Sequence, residues 1–178
     1  MVDTKTQTKG REYRVHNELS RLPYVHQIHR ILIEYGTDMK KRPSFDEVYM
    51  QFAETIARRS TCTRLAVGTV ITTTDYRKVL AVGYNGNASG LANTCDREEP
   101  GNCGCLHSEE NAVINCDAPR ETKKYVFVTH LPCVACAKRL INLGNVEKIM
   151  YRNSYRKTDS VDVLKSVGID VRQFHDEE

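Results

Sequence analysis

Three metal-ligating side chains in two short, separated segments constrain this chain more than any other feature. They are His107 in His107-Ser-Glu109 and the two cysteines of Pro132-Cys133-Val-Ala-Cys136, with room for a strand between the segments. One imidazole and two thiolates give zinc three ligands and leave the fourth tetrahedral position to water. Glu109, two residues after the histidine, is placed to carry protons rather than to ligate. Neither half is specific alone, since Cys-x-x-Cys is also a redox pair or half of a closed structural zinc site. The context favours an open site, because both halves are predicted to open helices flanked by strand-like runs. Pro132 suits a first helical turn, where its missing N–H costs nothing. Cys133 and Cys136 then lie three apart on one face, and a helix N-terminus favours thiolate over thiol. The fold must bring two helix starts to one ion.

At 178 residues the chain is long enough for one α/β core and short for two ordinary domains. Its 40% apolar and 28% charged content is that of a soluble globular protein, and no apolar run approaches a membrane span. Met1 to Arg14 is polar, with no apolar signal segment, so a cytoplasmic location is expected. Seven cysteines, an odd number, point to metal binding before a disulfide framework. Residues 1 to 42 hold nine basic and five acidic residues, and the remainder 17 basic and 18 acidic. The basic start reads as a solvated extension, because an enzyme of nucleic acids would carry its basic groove in the catalytic domain.

The predicted organisation is an extension over residues 1–40 and a catalytic domain over 41–178. Within the extension, Val25, Ile28, Leu32 and Tyr35 recur at helical spacing before Gly36, and His26 and His29 lie on that helix without a cysteine or carboxylate partner. Ser44-Phe-Asp-Glu47 is a capping box, with Phe45, Val48, Phe52 and Ile56 as the core stripe behind it. Leu65 to Thr73 and Val79 to Tyr84 read as an antiparallel hairpin, closed by turn chemistry at Tyr84-Asn85-Gly86. Helices follow over 107–116, 133–143 and 160–167, and strands over 125–129, 146–151 and 169–174. A leading helix and then ββαβαβαβ implies a mixed sheet covered on both faces. Cys116 reads as a core residue of its helix.

The H-x-E…P-C-x-x-C pattern is shared by zinc-dependent nucleobase deaminases. Over Arg42 to Arg156 the chain more narrowly resembles the deoxycytidylate (dCMP) deaminase family. The resemblance rests on Arg42-Pro-Ser-Phe-Asp-Glu47, Arg59-Ser-Thr-Cys-Thr-Arg64, Val67-Gly-Thr-Val-Ile71, Gly83-Tyr-Asn-Gly86, His107-Ser-Glu-Glu-Asn-Ala112, Val128-Thr-His-Leu-Pro-Cys133 and Ser154-Tyr-Arg156. It implies a three-layer α/β/α cytidine deaminase-like fold with a central mixed five-stranded sheet. The family often has proline two residues after Tyr-Asn-Gly; Asn87-Ala88 stands here instead, which bears on regulation more than on catalysis.

What the resemblance implies is hydrolysis of dCMP to dUMP and ammonia, feeding dTTP synthesis. Zinc on His107, Cys133 and Cys136 activates water at neutral pH. Glu109 shuttles protons to ring N3 and to the departing amino group; Glu110 is a surface or helix-cap charge. The family pattern sets Arg64, Tyr155 and Arg156 near the phosphate, which a planar guanidinium can hold through two oxygens. Asn85 holds the sugar or ring, and Ser108 offers its backbone N–H rather than its hydroxyl. The family further implies a homo-hexamer activated by dCTP and inhibited by dTTP, with Mg²⁺ accompanying the triphosphates near Tyr84, Asn85 and Gly86. Some members carry a second, structural zinc, for which Cys95, Cys103 and Cys105 in one loop, with Cys62, are the candidates. Two other readings stand beside this one. A deaminase acting on tRNA or single-stranded nucleic acid wants an aromatic channel, which a chain with no tryptophan and four phenylalanines is poorly equipped to build. A non-enzymatic zinc module has no use for Glu109.

Overall fold

A computed structural model describes residues 42–99, 102–155 and 157–176. The predicted N-terminal helix with His26 and His29 lies outside the described residues. Helix α1 (Phe45–Ala57) leads, followed by β1 (Gly68–Thr73), β2 (Val79–Tyr84), α2 (Ser108–Ile114), β3 (Lys124–His130), α3 (Val134–Leu143), β4 (Val146–Asn153), α4 (Asp159–Lys165) and β5 (Asp170–Gln173). This is the order expected from the sequence. The strands form one sheet in the order β2-β1-β3-β4-β5. β1 is antiparallel to both β2 and β3, whereas β3, β4 and β5 run parallel, so the sheet is mixed. Side chains alternate across it. Val70, Phe127 and Met150 face α1, while Ile71, Val126, Val128 and Ile149 meet Ala112 of α2, Ala137 and Leu140 of α3 and Leu164 of α4. Three layers result. Among the described residues no helix is long and apolar enough to cross a membrane.

The serine half of the capping box forms as expected, with Ser44 Oγ accepting from the Glu47 N–H at 3.1 Å. The stripe behind it does not. Met50, Ala53 and Ala57 are the buried residues of α1, Phe52 and Ile56 only flank the core, and Phe45 and Val48 are exposed. The reason is distance. A Cβ at Gly68 would stand 2.1 Å from the Ala53 carbonyl oxygen and 2.6 Å from the Ala57 nitrogen, so the helix backbone rests directly on β1. Only small side chains fit that contact, and the large apolar ones are turned aside. Phe45 instead stacks on Tyr76, with ring centroids 5.1 Å apart.

Candidate active site and metal centres

The two motif segments end up at one place because α2 and α3 both begin at the same end of the sheet, beyond the carboxyl ends of β2 and β3. His107 is the N-cap of α2 and Cys133 the N-cap of α3. Pro132 therefore precedes the cap rather than occupying the first helical turn. The first-turn N–H of Cys136 is met by sulfur, with Cys133 Sγ accepting it at 3.5 Å. Glu110 of α2 and Arg139 of α3 pair at 3.1 Å and tie the two helices together. On the other side α2 is seated by Gly83 of β2, where a Cβ would stand 2.2 Å from the Ser108 carbonyl oxygen and 2.4 Å from the Ala112 nitrogen. Asn111 Nδ2 donates to the Tyr84 carbonyl at 2.8 Å and Asn115 Nδ2 to that of Val82 at 3.1 Å, fixing the helix along this edge strand.

His107 Nδ1 lies 3.4 Å from Cys136 Sγ and 3.7 Å from Cys133 Sγ. A tetrahedral ion with bonds of roughly 2.0 Å to nitrogen and 2.3 Å to sulfur would set that edge at about 3.6 Å, so the donor set fits zinc. Hydrogen bonding from Cys136 and His107 draws Cys133 down to about 3, while the same bond and burial push Cys136 up. The bond to Cys133 raises His107 to about 9. A cation bound here displaces the His107 proton. Glu109 is 4% exposed, and burial raises its carboxyl above the ordinary range. Ser108 donates its hydroxyl to Glu109 Oε2 at 3.0 Å, and Thr69 Oγ1 stands 2.8 Å from Ser108 Oγ. The Ser108 hydroxyl thus has a partner where the sequence reading had looked to its backbone N–H, and Thr69, which lies within a quoted segment but had been given no role, joins it.

A cavity of about 470 Å³ opens over this centre. Arg64, Asn85, Ser108, Glu109 and Tyr155 all line it beside His107 and Cys133, as do His130 and Ser154, which lie within the quoted segments but had been given no role. Arg156 lies outside the described residues. Two of the gathered residues also serve the scaffold. The terminal nitrogens of Arg64 donate to the carbonyls of Glu98 and Glu99, pinning the cysteine-rich loop. Asn85 accepts from the Val67 N–H at 2.8 Å and donates to the Leu65 carbonyl at 2.7 Å. The neighbouring Gly86 exchanges two hydrogen bonds with Leu106, drawing the chain before His107 onto the end of β2. Tyr84 is 36% exposed on that edge.

The cysteine-rich loop forms a second centre against the same cavity. Cys62 Sγ lies 3.6 Å from Cys95 and 3.8 Å from Cys103, and Cys105 lies 3.7 Å from Cys95. All four sulfurs fall within 4.8 Å of one another. Four sulfurs each about 2.3 Å from one ion would stand about 3.8 Å apart, so this set also fits a closed tetrahedral site. The remaining cysteine, Cys116, is half-buried against the main core.

Comparison with known proteins agrees with this geometry. A model of the cytidine and deoxycytidylate deaminase zinc-binding region matches residues 43–153. The deoxycytidylate deaminase of Saccharomyces cerevisiae is 36% identical over 145 residues, 75% of this chain and 46% of the yeast protein. That of Schizosaccharomyces pombe is 31% identical over 147 residues, 75% of this chain and 45% of its own length. The chain therefore spans about half the length of these curated relatives. A crystal structure of the dCMP deaminase of cyanophage S-TIM5 with dCMP and dUMP superposes with a TM-score of 0.65 at 35% identity, covering 75% of this chain and 99% of the phage chain.

Proposed function

The chain belongs to the cytidine and deoxycytidylate deaminase family, and from that premise we propose that it hydrolyses dCMP to dUMP and ammonia. The observation that carries the reading is the meeting of His107, Cys133 and Glu109 with Arg64, Asn85 and Tyr155 in one cavity. The relatives named deoxycytidylate deaminase and the phage enzyme crystallised with dCMP support the choice of substrate.

His107, Cys133 and Cys136 would hold zinc, which would lower the pKa of a water there to about 7. Glu109 then moves the protons. Its buried carboxylate accepts one from the attacking water, passes it to ring N3, and serves the amino group that leaves as ammonia. Burial raises this carboxyl above its ordinary range, the direction that suits a group that must both take and return a proton. Ser108 and Thr69 hold it in place. Asn85 offers the sugar or ring the hydrogen-bonding capacity left after its two scaffold bonds, and Arg64 and Tyr155, with Arg156, receive the phosphate. Cys62, Cys95, Cys103 and Cys105 hold a second, structural zinc that braces the cavity wall. Two thiolate sites fit a reducing compartment, hence the cytoplasm. Family resemblance over Gly83-Tyr-Asn-Gly86 supports activation by dCTP, inhibition by dTTP with Mg²⁺ on the triphosphates, and a homo-hexamer.

The test is deamination of dCMP by purified protein, followed by absorbance with and without dCTP, beside Glu109→Gln and a zinc count. Turnover that falls at least about 10²-fold in the variant while zinc is retained is the expected result. No turnover under any nucleotide condition with full zinc would transfer the reading to a base within nucleic acid or to a non-enzymatic zinc module.

A further inference from the structure

His130 is a cavity residue to which the deamination chemistry above assigns no role. It ends β3 and stands in register with Asn153, which ends the parallel strand β4. Crevices beyond the carboxyl ends of parallel strands are where α/β sheets take their ligands. The two strand ends are clamped together, with Asn153 Nδ2 donating to the Thr129 carbonyl at 3.0 Å and the Leu131 N–H donating to the Asn153 carbonyl at 2.9 Å. Ser154 and Tyr155 follow directly after Asn153 and line the same cavity as His130.

The hydrogen bonds around the ring define which nitrogen faces a ligand. The Gly68 N–H donates to Thr129 Oγ1 at 3.2 Å, and Thr129 Oγ1 lies 3.2 Å from His130 Nδ1. A hydroxyl that already accepts from Gly68 has its own proton to give, and Nδ1 is the acceptor within reach. With Thr129 donating to Nδ1, Nε2 carries the ring proton, and among the described residues no hydrogen bond to Nε2 is found. Burial holds the imidazole below its ordinary pKa, which keeps this single-donor form dominant near neutrality.

Arg64, Tyr155 and Arg156 leave room for a further donor, because the oxygens of a phosphate dianion accept several hydrogen bonds at once. Among the described residues lining it, Arg64 alone bears a permanent positive charge, and both its terminal nitrogens donate to backbone carbonyls. The base must lie over Glu109 and the metal ligands, which leaves the Ser154–Tyr155 end for the phosphate ester. We propose that His130 is a specificity-determining residue that donates from Nε2 to the 5′-phosphate and so favours the nucleotide over the bare nucleoside. This rests on the deamination reading and names a phosphate contact within it.

The experiment measures kcat/KM for dCMP and for deoxycytidine side by side in wild type, His130→Phe and His130→Gln, with zinc content and thermal melting as checks of folding. In the phenylalanine variant, which keeps a ring and loses the donor, the dCMP-to-deoxycytidine ratio is expected to fall about 10- to 100-fold, mainly through KM. Glutamine, whose terminal amide can present N–H near the Nε2 position, is expected to restore most of the ratio. His130→Leu reads the same ratio should the phenylalanine variant not fold. An unchanged ratio in the donor-free variants, or glutamine failing as fully as phenylalanine, overturns the phosphate contact while leaving deamination standing. Wild-type protein that turns over neither substrate overturns the deamination reading, and the contact falls with it.

Discussion

Ser108 gives its hydroxyl proton to Oε2 of Glu109 across 3.0 Å, although the two are adjacent in the chain and share the first turn of α2. With that proton committed, the 2.8 Å contact to Thr69 runs the other way, from the threonine hydroxyl to Ser108 Oγ. All three residues are buried. The carboxylate is thus anchored through a hydroxyl pair to β1, the central antiparallel strand, rather than to its own helix alone.

Ser108→Ala should lower kcat by about 10-fold, from the loss of a hydrogen bond to a charged group, with KM and zinc content near wild type. Thr69→Val should act in the same direction and less strongly, since it reaches Glu109 only through the serine. Steady-state kinetics with metal analysis check both. A Ser108→Ala enzyme with wild-type kcat would show that the anchor is dispensable.

Gly83→Ala should destabilise the domain by about 3 kcal/mol, because the new methyl meets helix backbone rather than a movable side chain. Urea denaturation measures that cost. Since α2 carries His107 at its N-cap, zinc affinity should fall in the same variant, read by competition with a chromogenic chelator. Zinc bound as tightly as in wild type would mean that the helix tilts without moving its cap.

Zinc analysis of the purified protein should give two ions per chain, one for each cluster of ligands. Cys105→Ser should lose one of them and melt at lower temperature while keeping the ion at His107. A single ion per chain in the unaltered protein would leave the four-cysteine cluster as thiols.

On the opposite face of the sheet, Lys148 Nζ lies 2.7 and 2.9 Å from the two oxygens of Asp46 and 3.0 Å from the Tyr76 hydroxyl. It also sits 4.3 Å from the centre of the Tyr125 ring. Asp46→Asn leaves a largely buried ammonium short of its counter-charge and should cost about 2 kcal/mol, or about 5 °C in Tm. Adding Lys148→Met should recover part of that loss. A double variant less stable than Asp46→Asn would show that the lysine's aromatic contacts outweigh the ion pair.

Much of this was legible in one dimension. The capping box at Ser44, the turn chemistry after Tyr84, the glycine at 144 and the period-2 runs are local patterns, so the order of helices and strands followed from them. The ligand set was legible for a similar reason, since His107, Cys133 and Cys136 carry spacing that few other chemistries require. Cys62 was a harder case. It lies 33 residues from Cys95, yet their sulfurs come within 3.6 Å. No spacing rule joins it to the loop, and only family resemblance suggested it.

The sequence by itself determined the element order, the two helix starts that carry the candidate metal ligands, and the carboxylate proposed to move the protons. Tertiary structure alone decided which face of α1 is buried, that the Arg64 fork holds two loop carbonyls, that the Ser108 hydroxyl bonds Glu109, and that His130 lines the cavity. The division has one physical cause. Capping, turns and periodicity depend on residues a few positions apart, whereas packing distance and hydrogen-bond partnership are pairwise properties of residues distant in the chain. Gly68 under Ala53 and Thr129 beside His130 acquire their meaning only once the sheet has been assembled.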